Sequence, residues 1–229
     1  MATDLQAVIF DLDGVITNTA EYHFLAWKKL ANELRIPFSK ECNEELKGIS
    51  RMESLEKILA CGGRKYDFSE SEKMSLAAKK NEHYQRLIEE ITPRDILPGI
   101  QAFISAIKRA SLKLGVASAS KNALTVLNAL ALQSEFDCIV DAKEIKNGKP
   151  HPEIFLEAAK LLNVDPAGCI GIEDSQAGIK AIKAAGMYAV AIGEKDVFGN
   201  ADLVVTTTAE LSFEYIKKCY DMKLQNSDK

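Results

Sequence analysis

The stretch Ala7–Thr19, reading AVIFDLDGVITNT, restricts the fold more than any other part of the chain. Ala7, Val8, Ile9 and Phe10 form an unbroken apolar run that reads as a strand buried on both faces, and it passes straight into Asp11, Leu12, Asp13 and Gly14. Two carboxylates therefore stand at the lip of an apolar core. Lost hydration there has to be offset by a cation, a proton or a set of hydrogen-bond donors. A divalent metal ion meets that need most directly. An isolated Asp-x-Asp caps a loop just as readily, so the rest of the chain decides between the two.

The rest of the chain alternates after one long helical interruption. A helix is expected from Thr19 to Leu34, with Phe24, Trp27, Ala31 and Leu34 as its buried stripe and Thr19, His23 and Trp27 one turn apart on one side. From Ile36 to Ile91 the pattern is helical without strands. Ser50 with Glu53 and Ser69 with Glu72 have capping-box spacing, and Gly62 and Gly63 stop the first of these helices. Ala77, Asn81, Tyr84, Ile88 and Ile91 continue as a stripe that Asn81 interrupts, with Lys80 beside it. Beyond Thr92, Pro93, Pro98 and Gly99 the rhythm changes. Helices over Ile100–Ala110, Asn122–Ala131, Pro152–Leu162 and up to Ala185 alternate with a strand in which Leu112, Leu114 and Val116 alternate and with apolar runs at Cys138–Val140, Cys169–Ile172, Tyr188–Ile192 and Leu203–Val205, before a terminal helix. Alternation of this kind predicts an α/β fold, a Rossmann-like parallel sheet with helices on both faces. The helical block falls between strand one and its neighbours, so it reads as an inserted all-helical cap on two connections: residues 1–17 and 95–229 form the core, residues 18–94 the cap. A hinged lid is the expected consequence.

Composition narrows the partners. With 29 basic and 33 acidic residues among 229, the net charge of -4 offers no global attraction to nucleic acid or to an anionic membrane. The five cysteines, Cys42, Cys61, Cys138, Cys169 and Cys219, are odd in number and lack a Cys-x-x-Cys pair, so they read as reduced thiols in a reducing compartment. No apolar run approaches a membrane span and the N-terminus has no basic leader. The expectation is a cytoplasmic, monomeric protein that works on a small molecule.

Three strand ends carry polar residues: Asp11 and Asp13, Ser118, and Glu173 with Asp174. In open parallel sheets, ligands bind beyond the carboxyl ends of the strands. Asp11, Asp174 and Glu173 are hard oxygen donors suited to Mg²⁺. Ser118 and the amide of Ala119 can hold phosphate oxygens at a helix start, and Lys149 adds a point charge. Together they would neutralise a phosphoryl group enough for a carboxylate to attack it.

Asp11-Leu12-Asp13-Gly14-Val15, Ser118-Ala119-Ser120, Lys149-Pro150 and Glu173-Asp174 resemble the four motifs of the haloacid dehalogenase superfamily. Within that superfamily, TNTAEYH at Thr17–His23, LKGISR at Leu46–Arg51 and SASKN at Ser118–Asn122 are similar to the hinge, cap loop and phosphate loop of the β-phosphoglucomutases. The resemblance implies that Asp11 is a nucleophile forming an aspartyl phosphate. Asp13 would be the general acid and base, with its carbonyl on the metal. Mg²⁺ would be held by Asp11, Asp13, Glu173 and Asp174, and the transferring phosphate by Ser118, Ala119 and Lys149, with Lys121 and Asn122 nearby. In the cap, Arg51 would hold a distal phosphate, while Thr19, His23, Trp27, Lys47, Gly48, Ser54 and Lys80 orient a sugar. The implied reaction interconverts β-glucose 1-phosphate and glucose 6-phosphate through β-glucose 1,6-bisphosphate, which also serves as primer. Asn18 departs from the family pattern, where Asp is frequent, and bears on hinge motion.

Other readings share parts of this constellation. A sugar-phosphate phosphatase on the same scaffold would use Asp11, Asp13, Lys149 and Asp174 equally, so only the cap residues favour a mutase. A dehalogenase has no need of Asp13 or of Mg²⁺. A regulator that binds metal and phosphate without turnover has no need of the full set of nucleophile, acid/base and ligands.

Overall fold

The computed structural model describes residues 4–227. Its strands are β1 (Ala7–Phe10), β2 (Lys113–Val116), β3 (Cys138–Ile139), β4 (Cys169–Glu173), β5 (Tyr188–Ile192) and β6 (Leu203–Val205). They form one parallel sheet in the order β3-β2-β1-β4-β5-β6. Central position explains the sequence of β1: Ala7 pairs with both Lys113 and Cys169, and all of Ala7–Phe10 are fully buried. Its alternation separates two cores. Val8 and Phe10 face α5 (Ile100–Arg109), α6 (Ala123–Ala129) and α9 (Phe213–Ser227), whereas Ala7 and Ile9 face α7 (Glu153–Leu162) and α8 (Gln176–Ala184). On the first side Phe10 meets Phe103 and Phe136 edge to face, at 5.8 and 5.9 Å between centroids. The strand order reverses between β1 and β4, which opens the crevice where Asp11 and Glu173 emerge.

The alternation expected at Leu112, Leu114 and Val116 is not what β2 shows: Leu114, Gly115 and Val116 are all buried. β2 is an inner strand with α5 packed on one side of it and α7 on the other, so both of its faces are covered. Gly115 leaves room for Cys138 and Leu162, which a Cβ would meet at 3.1 and 3.2 Å.

Between β1 and β2 the chain makes α1 (Ala20–Glu33), α2 (Lys40–Glu44), α3 (Arg51–Cys61) and α4 (Glu70–Ile88). Both expected capping boxes are formed: Ser50 and Glu53 open α3, Ser69 and Glu72 open α4. Each satisfies orphan amides at its helix start, worth on the order of 1 kcal/mol. Trp27, Leu30, Leu55, Ile58, Leu59 and Ala77 make a separate apolar cluster, while Tyr84, Ile88 and Ile91 join the sheet core. The outgoing and returning connections run side by side. Thr17 Oγ1 donates to the Asp95 carbonyl at 2.7 Å, and the Leu97 N–H donates to the Ile16 carbonyl at 2.9 Å.

Candidate active site

Asp11 leaves the end of β1 with its N–H bonded to the Ile172 carbonyl of β4 at 2.9 Å. Its Oδ1 accepts from Lys149 Nζ at 2.7 Å, and the same ammonium donates to Glu173 Oε1 at 3.1 Å. Lys149 is buried between β3 and α7, with the Phe155 ring 5.0 Å from its Nζ. Glu173 also accepts from Ser175 Oγ at 2.8 Å and from the N–H groups of Asp174 and Ser175 at 2.6 and 3.1 Å. Its carboxylate thus accepts four hydrogen bonds and holds Lys149 and the start of α8 in place. Ser175, not Asp174, caps α8, accepting from the Gly178 N–H at 3.0 Å. That leaves Asp174 free to face Asp11, and Gly14 makes the space for it: at φ +80° a Cβ there would run into the Asp174 carboxylate.

Ligand oxygens of Asp11, Glu173 and Asp174 lie within 4.8 Å of one another. Such crowding raises the proton affinity of the cluster. Burial, then Glu173, lifts Asp11 to about 8 despite Lys149. Asp174 is raised well above the ordinary carboxylate range, first by burial and then by Glu173 and Asp11, with Lys47 opposing. Lys149 alone does not compensate this much buried acid, and a hard divalent cation suits the remaining oxygens. The Asp13 carboxylate lies outside the cluster. It accepts from the Thr19 hydroxyl and stands 3.7 Å from His23 Nε2, and burial raises its pKa.

Thr19 is the N-cap residue of α1 and His23 lies in its first turn, so the cap meets Asp13 directly. Because the Thr19 hydroxyl is turned to Asp13, it makes no cap bond; the exposed Asn18 instead accepts from the Ala20 N–H at 3.3 Å. His23 Nδ1 is 2.8 Å from Lys80 Nζ, whose ammonium sits 4.7 Å from the centroids of both Trp27 and Tyr84. Burial and the neighbouring Arg51 bring Lys80 down to about 7, and burial and Lys80 hold His23 well below its usual value. Trp27 is packed in the cap cluster beneath Lys80.

The cap loop completes the enclosure. Lys47 Nζ pairs with Glu44 at 2.7 Å and reaches Asp174 at 3.8 Å. Gly48 turns at φ +74° with its α-carbon against Ser175, where a Cβ would overlap the hydroxyl. Arg51, the first residue of α3, is half-buried and has no carboxylate partner among the described residues. Ser54 is buried and its hydroxyl donates back to the Ser50 carbonyl at 3.0 Å.

At the end of β2, the buried Ser118 accepts from the Ser120 N–H at 3.1 Å, and Ser120 accepts from the Asn122 N–H at 3.2 Å, which curls the loop around Ala119. Asn122 makes no side-chain cap for α6. Its amide donates to Asn81 at 2.9 Å and accepts from Gln85 at 3.2 Å, tying the loop to α4. Lys121 is exposed. Sequence reasoning missed Gln85 and Ser175; the polar break at Asn81 in an apolar stripe was the available signal for the amide bridge.

The haloacid dehalogenase-like hydrolase family matches residues 5–186 of the sequence. The chain belongs to that family. It is 51% identical to the Bacillus subtilis β-phosphoglucomutase over 93% of this chain and 94% of that one. The crystal structure of a β-phosphoglucomutase from Clostridium difficile superposes with a TM-score of 0.95 at 53% identity, covering 96% of this chain and 99% of that one. A phosphorylated carbohydrates phosphatase of Thermotoga maritima is 31% identical over 80% of this chain and 82% of its own. The family's core thus accommodates both kinds of relative. No helix among the described residues is long and apolar enough to cross a membrane.

Proposed function

We propose that the protein is a β-phosphoglucomutase, an isomerase that interconverts β-glucose 1-phosphate and glucose 6-phosphate through the 1,6-bisphosphate. The observation that carries this reading is the 51% identity to the Bacillus subtilis β-phosphoglucomutase, which extends over 93% of the chain and so spans the cap segment as well as the sheet core.

In the proposed reaction Asp11 carries the phosphoryl group. The bond between phosphorus and the Asp11 oxygen breaks as a sugar hydroxyl oxygen bonds to phosphorus, and the hydroxyl proton passes to Asp13. In the second half-reaction Asp13 returns the proton to the oxygen that leaves as Asp11 is phosphorylated again. The elevated proton affinity of Asp13 favours that exchange, and Thr19 holds the carboxylate on its path. Lys149, together with Ser118 and the amide of Ala119, would neutralise and orient the transferring phosphoryl group, with Asn122 closing the loop. Lys121, being exposed, would act only as a peripheral charge. Arg51 would bind the distal phosphate, which suits a partly buried cation without a carboxylate partner. Lys47, Gly48, His23 and Lys80 would line the sugar; Trp27 and Ser54 would support that wall from behind. Residues 18–94 would act as the lid, excluding water from the aspartyl phosphate.

Asp11, Asp174 and Glu173 would hold Mg²⁺, with the backbone carbonyl of Asp13. The raised proton affinities and the hard-oxygen donor set support this assignment. When bound, the ion supplies charge neutralisation at the phosphoryl oxygens.

Phosphorus NMR with β-glucose 1-phosphate, Mg²⁺ and a trace of the bisphosphate tests the proposal. Glucose 6-phosphate without matching inorganic phosphate is the expected result. Inorganic phosphate as the main product would make the protein a phosphatase and reduce the cap residues to substrate selection.

A further inference from the structure

Lys149 brings its buried ammonium to Asp11 from residues 140–152, which form neither helix nor strand between β3 and α7. Irregular backbone is the more mobile part of a fold, and the flexible lysine stem adds freedom of its own. The placement of Nζ therefore has to be fixed by contacts to the loop itself.

Glu153, the first residue of α7, supplies them. Its Oε1 accepts from the Lys146 N–H at 2.8 Å, and its Oε2 accepts from the Asn147 N–H at 3.0 Å and from the Asn147 side-chain amide at 2.7 Å. On the far side of Lys149 the Glu153 N–H donates to His151 Nδ1 at 3.2 Å. One residue thus grips the loop both before and after the lysine. Its own place is set by α7, which is seated on the sheet through Ile154, Phe155 and Ala158, and Phe155 carries the ring beside the Lys149 ammonium. The Lys146 N–H, followed by the Asn147 side chain, holds the Glu153 carboxyl below its usual range, so it is ionised and accepts through both oxygens.

The lid touches the same loop. A Cβ on Gly148 would lie 3.0 Å from Glu53 Oε2, the oxygen that accepts from the Ser50 N–H in the capping box of α3. Opening of the lid would remove that contact, whereas Glu153 and its partners all belong to the core and stay together at any lid position. A first-turn carboxylate also favours its helix through the macrodipole, but that effect requires none of the bonds to Lys146 and Asn147.

We propose that Glu153 is a positioning residue for phosphoryl transfer, setting Lys149 against Asp11 by clasping the loop on both sides of it. The inference rests on the functional reading above only in that Lys149 would neutralise the phosphoryl group carried by Asp11, whether the protein isomerises or hydrolyses its substrate.

The test is Glu153→Ala in the full chain, with two readings. Phosphorylation of Asp11 by acetyl phosphate with Mg²⁺ should slow about ten- to hundredfold, since a misplacement of about 1 Å costs up to about a hundredfold. In the proton–nitrogen NMR spectrum of protein labelled at lysine Nζ, the slowly exchanging Lys149 ammonium, assigned by its absence from Lys149→Met, should broaden or disappear. A role in helix stability alone would lower the thermal midpoint and leave both readings at their wild-type values. Glu153→Gln removes the charge and keeps one acceptor oxygen, so it should fall between wild type and Glu153→Ala in both readings, and it decides the matter if Glu153→Ala does not fold. A wild-type rate or a wild-type Lys149 resonance in the deciding variant would overturn the inference, as would wild-type protein without a slowly exchanging lysine ammonium. Wild-type protein that takes no phosphoryl group from acetyl phosphate would instead overturn the functional reading, and the resonance then decides the placement of Lys149 by itself.

Discussion

Divalent-ion binding by this protein should be strongly proton-linked. Burial lifts Asp11 to about 8, and Asp174 is raised by burial and by its two acidic neighbours. Below those values a cation seated among the carboxylates must displace a proton, at about 1.4 kcal/mol per pH unit for each proton displaced. For Asp11 alone, lowering the pH from about 8 to about 6 should weaken Mg²⁺ binding by roughly 3 kcal/mol, which is up to about a hundredfold in affinity. The sign is fixed by the direction of the shift: affinity rises with pH and levels off once Asp11 ionises unaided. In the ion-free protein the same shift acts on stability in reverse. A carboxyl whose folded pKa is raised contributes stability that is complete below its unfolded value of 3.8 and is lost as the pH climbs through about 8. Added Mg²⁺ should therefore stabilise most at the alkaline end. His23 and Lys80 have their pKa values lowered, Lys80 to about 7, so their contribution to stability has the opposite sign. Measuring each pH with and without Mg²⁺ cancels it. Calorimetric titration in two buffers of different protonation enthalpy, at pH about 6, 7 and 8, counts the released protons directly. An affinity independent of pH, with no proton released at pH about 6, would refute the account of the cluster as protonated and crowded.

Four other outcomes follow from the same geometry. Asp11→Asn should abolish formation of the hydroxylamine-sensitive acyl phosphate and all turnover; undiminished turnover in that variant would rule out an aspartyl phosphate. Arg51→Ala should cut mutase turnover severely while leaving Asp11 phosphorylation by acetyl phosphate largely intact, and equal loss of both would indicate misfolding. Lys149→Met should cost about 3–5 kcal/mol in urea unfolding at pH about 8 with chelator, because it leaves buried carboxylates facing one another, and less at pH about 5, where they take up protons; an equal cost at both would assign Lys149 a packing role. Gly48→Ala should hold the lid off the sheet, since φ +74° is strained for alanine and its Cβ meets Ser175; small-angle scattering should show an expanded particle and turnover should fall, whereas a wild-type profile would show that the loop yields at little cost.

Much of this was legible in the sequence because local rules and tertiary needs coincide there. An apolar run ending in acids has one reasonable place in a fold, and β1 occupies it. The capping boxes at Ser50 and Ser69 are set by residues three apart, within reach of sequence inspection. What escaped depends on long-range meetings. Lys149 and Asp11 are separated by 138 positions, and nothing local says that Glu173 would spend its carboxylate on that lysine and on Ser175. Tyr84 read as one member of an apolar stripe, which it is, and periodicity carries no information about where its hydroxyl ends. Lys80 looked like a polar neighbour of the stripe; its burial between Trp27 and Tyr84 arises only when α1 and α4 pack together.

The central place of β1 also dictates an order of events during synthesis. Its pairing partners are β2, which begins at Lys113, and β4, which begins at Cys169. The apolar residues Ala7–Phe10 therefore emerge from the ribosome long before any strand exists to cover them. The helices α1, α3 and α4 follow at once and can condense on one another through contacts that all lie within Ala20–Ile88, whereas the sheet must wait for loop closure over more than a hundred residues. The strand that presents the acidic cluster is the first to be made and among the last to be sheltered, so the nascent chain is most exposed to aggregation at the segment on which its chemistry would depend.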